Sequence, residues 1–215
     1  MKKAIFLGAA LSALTIVGCN NAPEADQAVT GEQQEAAATG GTAFNIDTTG
    51  SSVEWLGSKP VGQHNGLFKI SEGNFSVENG SISAGSFVIN TASLTDLDLK
   101  AGEGKEKLEG HLKSADFLDT DKFPTAKFEI TSVAPLANDS SATHTISGNL
   151  TLKDSTKNIS FPAKLTIADN NVQAQANFNI DRTLWGLYYG NDKSLGDKFI
   201  RPEVNIKLNI TANKL

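Results

Sequence analysis

The sequence predicts an all-β protein, an antiparallel barrel of about eight strands, and three observations carry that prediction. Apolar and polar residues alternate with a period of two through most of the chain after Phe44, as in a strand with one dry face and one wet face. Short stretches of turn-forming residues separate the alternating runs. Nineteen glycines against six prolines supply many turns while leaving most strand amides free to donate.

The alternation is clearest toward the C-terminus. Ile159, Phe161, Ala163, Leu165 and Ile167 alternate with Asn158, Ser160, Pro162, Lys164 and Thr166, and Val172, Ala174, Ala176, Phe178 and Ile180 alternate with Gln173, Gln175, Asn177 and Asn179. Val204, Ile206, Leu208, Ile210 and Ala212 repeat the pattern. Asp169-Asn170-Asn171 is turn chemistry between two of these runs, which makes them hairpin partners. Further strands are predicted at 51–59, 64–78, 81–91, 124–134 and 143–153, with Asn79-Gly80 as a second hairpin turn. A succession of hairpins favours a barrel over a sandwich. One stretch breaks the pattern: over 104–118, Leu108, Leu112 and Ala115 have helical spacing, so a short helix interrupts the strands. Gly66, Ala84, Gly148, Ala163, Ala174 and Ala176 fall on the inward face, and such small side chains would leave space inside.

The N-terminus carries a different signal. Lys2 and Lys3 precede fourteen uncharged residues, Ala4 to Val17, followed by Gly18-Cys19. That run is shorter than the roughly 20 residues a membrane-spanning helix needs, so it reads as an export signal. The chain's only cysteine stands where the lipobox of bacterial lipoproteins places the residue that is acylated after cleavage. An ordinary secretory signal with a chance cysteine is the alternative. The expected organisation is a signal peptide at 1–18, a lipidated Cys19 with a flexible acidic tether to residue 43, and a barrel domain at 44–215. The tether, with Glu24, Asp26, Glu32 and Glu35 and no base, cannot build a core, and as a coil it would reach roughly 25–30 Å. Asn20 after the cysteine favours outer-membrane sorting, with the domain in the periplasm or at the surface.

Charge and motifs narrow the function. A net charge of −5, falling to −7 once Lys2 and Lys3 leave with the signal, offers no field for nucleic acid. His64, His111 and His144 have no ligand spacing among themselves, and one cysteine builds no cluster, so no metal site is expected. Neither a nucleophile elbow nor a phosphate or dinucleotide loop is present, so no enzymatic activity is expected.

One set of residues resembles a known family. His111-Leu112-Lys113-Ser114-Ala115-Asp116-Phe117-Leu118-Asp119, followed by Lys122-Phe123-Pro124-Thr125-Ala126-Lys127-Phe128, is similar to the signature of the YceI-like polyisoprenoid-binding proteins. The likeness extends through His64-Asn65-Gly66-Leu67-Phe68, Gly148-Asn149-Leu150-Thr151-Leu152-Lys153 and Phe178-Asn179-Ile180-Asp181-Arg182-Thr183. Leu118, Asp154 and Trp185 depart from it locally. The resemblance implies an extended lipocalin-like barrel whose apolar interior holds a long isoprenoid chain, such as a quinone or polyprenyl phosphate, for storage or transport in the bacterial envelope. It implies no cofactor and admits a homodimer. The competing reading is a filled scaffold that serves as an envelope-stress or surface-interaction module without lipid.

Strand parity selects the binding residues. If Phe178 and Ile180 point inward, so does Arg182; if Gly66 and Phe68 do, so does His64; and Lys59 shares the parity of Val53, Trp55 and Gly57. Arg182, His64 and Lys59 are therefore the candidates for a polar head group, because a cation facing an apolar interior needs an acceptor. Arg182 has a structural alternative, a loop carboxylate such as Asp192 or Asp197. Trp55, Phe68, Phe87, Phe128, Phe161 and Phe178 are the candidates for the tail, lining a hollow or filling it. His111 reads as a hydrogen-bonded cap over the barrel.

If Cys19 is acylated, expression in a bacterial host with Cys19→Ser should move the protein from the membrane fraction to the soluble fraction. Intact mass spectrometry should show loss of the diacylglyceryl group; a mass difference no larger than the sulfur-for-oxygen exchange, with unchanged fractionation, would leave Cys19 as an incidental thiol.

Overall fold

The structure, a computed structural model, describes residues 24–137 and 139–215; the signal peptide and Cys19 lie outside them. Along the chain come β1 (Asp26–Gln27), β2 (Val29–Gly31), β3 (Thr42–Ile46), β4 (Ser52–Lys59), β5 (Gly62–Glu78), β6 (Ser81–Asp96) and the helix α1 (Lys105–Lys113). They are followed by β7 (Thr125–Pro135), β8 (His144–Leu152), β9 (Ser155–Ile167), β10 (Asn171–Asp181) and β11 (Glu203–Lys214). Short 3-10 turns at Arg182–Trp185 and Lys193–Lys198 fill the connection from β10 to β11. Every strand predicted from alternation is present, and so is the short helix.

Antiparallel pairing runs from β4 through β11 in sequence and returns to β4 through the Val204↔Gly57 to Asn209↔Ser52 ladder, which closes the barrel at eight strands. β3 continues the line of β4, bonded on one side to β11 and on the other to β5. Closure leaves no free sheet edge along the stretches where neighbouring strands pair. The alternation is realised as expected: Val172, Phe178 and Ile180 are buried on β10 while Gln173, Gln175 and Asn177 face water. At the β5–β6 hairpin, Asn79 and Gly80 have φ of 51° and 77°, the left-handed pair of a type I′ turn whose twist matches its strands. β5 and β6 are long enough to need bending, and three register shifts along their ladder provide it.

α1 is shorter than the predicted helical stretch. Ser114 turns the chain, donating its amide to the His111 carbonyl at 3.1 Å, and leaves Ala115 exposed. Phe117, just beyond, is buried across one end of the barrel. The helix is fixed to the rim by Glu109, whose Oε1 accepts from the Asp96 amide at 2.9 Å and from Thr95 Oγ1 at 3.1 Å.

The tether expectation needs correction. β9 and β10 pair only where Ala163–Ile167 face Val172–Ala176, and beyond that they splay. The N-terminal segment enters the gap: β1 runs parallel to β10 at Phe178 and Asn179, and β2 antiparallel to β9 at Asn158–Ser160. Ala28 between them is 4% exposed and donates its amide to the Asn179 carbonyl at 2.8 Å. The chain then crosses the outside of the barrel. Gln34 and Asn149 exchange two hydrogen bonds, of 3.0 and 2.7 Å, the Ala37 amide donates to the Ile130 carbonyl at 2.9 Å, and Ser83 Oγ donates to the Gly40 carbonyl at 3.1 Å. The barrel itself begins at β3, beside the expected boundary at 44, but the chain before it is not a free tether: it is packed on the barrel from about residue 25. Composition was a poor guide because this segment needs no core of its own; it is held by backbone groups that the splayed strands would otherwise leave unpaired.

The amides of Ala28, Gln34 and Ala37 should exchange with solvent at least about 100-fold more slowly than in an unstructured chain, as measured by NMR. Exchange at free-chain rates would separate this segment from the barrel.

Candidate functional site: an apolar cavity at the α1 end

A cavity of about 180 Å³ opens inside the barrel at the end closed by α1. Trp55, Phe68, Phe87, Phe128, Phe161 and Phe178 all line it, so the six aromatic residues selected from sequence converge on one space. Leu112, Phe117 and Leu118 close it from the helix side, and Leu187, Ile200 and Arg201 from the connection before β11. A second, smaller void of about 30 Å³ lies along the interior and shares Phe87, Phe128 and Phe161 with the first. These rings form a partition. Phe87 and Phe128 lie 5.4 Å apart, Phe128 and Phe161 5.8 Å, and Phe161 stacks on Phe178 at 4.0 Å.

Of the small inward residues, Ala163, Ala174 and Ala176 line the smaller void as expected, but Gly66 and Gly148 do not leave space. A Cβ at Gly66 would lie 2.6 Å from the Trp55 ring and 1.9 Å from the Thr95 carbonyl oxygen, and one at Gly148 would lie 2.3 Å from the Phe128 ring. These glycines make room for aromatic rings, which occupy the volume that missing side chains would have left empty.

Arg182 points inward and is 4% exposed, as parity required. Its guanidinium is nonetheless occupied. Nε donates to the Arg201 carbonyl at 3.2 Å, Nη2 to the carbonyls of Tyr189 and Ile200 at 2.9 and 3.0 Å, and Nη1 to that of Leu187. Burial pushes its pKa down, and the nearby Asp181 and Glu203 charges act against that fall. The structural alternative of a carboxylate partner at Asp192 or Asp197 is not realised; Asp192 instead caps its own turn through the Ser194 amide at 2.8 Å. Arg182 is thus a clamp on the loops around the mouth. Trp185, one of the departures from the family pattern, is 1% exposed and donates its indole N–H to the Leu150 carbonyl at 2.9 Å.

The other two head-group candidates lie outside the cavity. Lys59 is exposed at the end of β4. His64 has inward parity but sits at the rim, where its Nδ1 is 2.8 Å from Asp98 Oδ2. Parity gives the face of a strand, whereas cavity membership also depends on depth along it. Burial alone would raise the Asp98 carboxyl's pKa, but the hydrogen bonds from the Asn65 amide and from His64 help to outweigh it, and the pKa lies below the usual carboxylate range. A carboxylate oxygen of Asp96 also lies within 4.8 Å of the His64 and Asp98 donor atoms. The sequence expectation of no metal constellation considered spacing among histidines, and strand register brings carboxylates in instead.

Arg201 is the residue that sequence reasoning missed. It lines the cavity, half-buried, and its Nε is buried without an acceptor, as is Nε1 of Trp55. It lies just before β11, outside any alternating run; its only sequence signal is a cation next to Pro202 at a strand entrance. His111 caps the barrel end as expected, its ring 5.1 Å from Phe117 and 4.7 Å from Tyr189, with Nε2 3.0 Å from Asp116 Oδ2.

Comparison with known proteins places this architecture. The YceI-like domain matches residues 44–212. A UPF0312 protein of Pseudomonas putida is 35% identical over 129 residues, covering 56% of this chain and 60% of the relative. Protein YceI of Escherichia coli is 37% identical over 100 residues, covering 46% and 48%. The matched stretch thus spans less than two thirds of each relative's length. Among solved structures, BcnA of Burkholderia cenocepacia superposes with a TM-score of 0.62 at 19% identity, covering 77% of this chain and 98% of that one. A polyisoprenoid binding domain from Saccharophagus degradans superposes with a TM-score of 0.61 at 16% identity, covering 81% and 99%. At these identities the structures attest the fold, and the match across the barrel attests the lineage: the chain belongs to the YceI-like family.

Proposed function

We propose that this protein binds an isoprenoid lipid, with part of the tail in the cavity and the polar head at Arg201, and that it stores or carries that lipid in the bacterial envelope. The observation that carries the reading is an apolar cavity with an unpaired guanidinium N–H at its mouth. An apolar chain gains about 0.8 kcal/mol per methylene buried, so the tail needs no specific chemistry. The head needs acceptors. A quinone carbonyl or a phosphate oxygen would supply one to Arg201, whose planar fork suits either. Arg182, already bonded to four carbonyls, has little left to give. Cavities of about 150 Å³ admit benzene-sized guests, so the space as it stands takes a short piece of tail. A longer tail would swing the Phe87, Phe128 and Phe161 partition aside and run on into the second void.

Among the described residues that line the cavity, the ionisable ones are Arg182 and Arg201, set in a wall that is otherwise mostly apolar. Leu184, Tyr188, Tyr189 and Leu195 are exposed on the mouth connection, an apolar fringe suited to taking lipid from a bilayer surface. The family likeness to a domain described as polyisoprenoid-binding supports the same ligand class.

Solvent extraction of the purified full chain, followed by mass spectrometry, should yield an isoprenoid in near-stoichiometric amount. Arg201→Met should weaken uptake of an added quinone or polyprenyl phosphate by about tenfold, the loss of one charge-assisted hydrogen bond, with the melting temperature unchanged. Arg182→Met should instead destabilise the fold by on the order of 3 kcal/mol, because it strands several buried carbonyls. An empty extract with no saturable uptake of either lipid would reject the proposal.

A further inference from the structure

We propose that His64, Asp96 and Asp98 form a site for a divalent transition-metal ion, with Zn²⁺ the ion their chemistry fits best. The three come from two neighbouring strands and the turn that follows. Gly66 of β5 stands opposite Asp96, the last residue of β6, and His64 lies two positions before Gly66 on the same face. The turn is sewn to β5 by the Leu97 amide donating to the Asn65 carbonyl and the Asn65 amide donating to Asp98 Oδ1, each at 2.9 Å. One donor atom from each of the three side chains then lies within 4.8 Å of the others.

Asp96 is the observation that asks for a cation. Its side chain is fully buried, at 0% exposure. Oδ1 accepts from the Leu99 amide at 2.7 Å, but Oδ2 is buried without a partner. Among the described residues no lysine or arginine pairs with it. A carboxylate oxygen taken out of water without a donor or counter-charge is one of the more costly features a fold can hold. A metal ion held jointly with His64 and Asp98 would remove that cost.

The donor set selects the ion. One imidazole nitrogen and two carboxylate oxygens suit a borderline ion such as Zn²⁺, whereas Ca²⁺ prefers six or more oxygens. Adjacent ligands around an ion of this size are separated by about 3.0–3.4 Å. The His64 Nδ1 to Asp98 Oδ2 distance of 2.8 Å therefore has to open slightly. Both side chains are partly exposed, at 38% and 34%, so they can yield, and water reaches the site from their side. Glu109 backs the site by holding the Asp96 amide and Thr95 Oγ1, which ties the ion's surroundings to α1. The three residues do not line the cavity, so the site stands or falls independently of the lipid.

The test is calorimetric titration of the full chain, stripped with EDTA and dialysed, with ZnCl₂. We expect one equivalent of Zn²⁺ to bind saturably and to raise the melting temperature, with both effects weakened about tenfold or more in His64→Gln and in Asp98→Asn. Both substitutions are at partly exposed positions, which keeps the test valid even where Asp96→Asn disturbs the fold. In the unsubstituted chain the His64 ring nitrogen signal should shift on Zn²⁺ addition. Absence of saturable binding would overturn the site. Binding that both variants retain would place the ion elsewhere, and tighter binding of CaCl₂ than of ZnCl₂ would overturn the assignment of the ion.

Discussion

Between β10 and β11 the chain leaves the sheet at the mouth of the barrel and must return without a core of its own. Arg182 makes that possible. One buried guanidinium gathers the carbonyls of Leu187, Tyr189, Ile200 and Arg201, so that the outgoing and returning arms of the connection share a single node. The energetics are those of an internal solvation shell: the charge loses water and gains fixed carbonyl dipoles. Phe117 lies under the same guanidinium, its ring centre 5.9 Å from Cζ, so the turn after α1 is positioned against the node as well. The cavity's roof and the placement of Arg201 both follow from this arrangement.

A barrel of this size holds either its own side chains or a ligand, and here the two solutions divide the interior. Rings lying over Gly66 and Gly148 fill volume efficiently in those layers, whereas toward α1 the aliphatic and aromatic wall leaves a hollow. The partition between them is made of phenylalanines, flat side chains that can change the connection between two spaces by rotating rather than by moving backbone.

The strands were legible because their information is local: a period of two, bounded by Asn79-Gly80 or Asp169-Asn170-Asn171, names both a strand and its wet face. The six aromatic residues that line the cavity were legible for the same reason. β1 and β2 were not, because strands of two and three residues carry no period and pair through backbone alone. Arg182 was found by parity but its role was not, since its four acceptors are carbonyls, which every residue has. Arg201 and the Asp96 partnership with His64 depend on how a loop returns and how a bulged ladder is registered, and neither is written in the spacing of one segment.

The N-terminal segment changes how the barrel can stand at a membrane. A free tether from Cys19 to Phe44 would act as a long leash and let the mouth turn in any direction. Because the chain is already bonded to the barrel from Ala25 onward, only six residue steps separate Cys19 from the folded body, a reach of no more than about 20 Å fully extended. With an acylated Cys19 the barrel would ride close to its own leaflet and turn about a single pivot beside β10. On the proposed lipid-binding reading, the mouth would then meet the leaflet that holds the anchor.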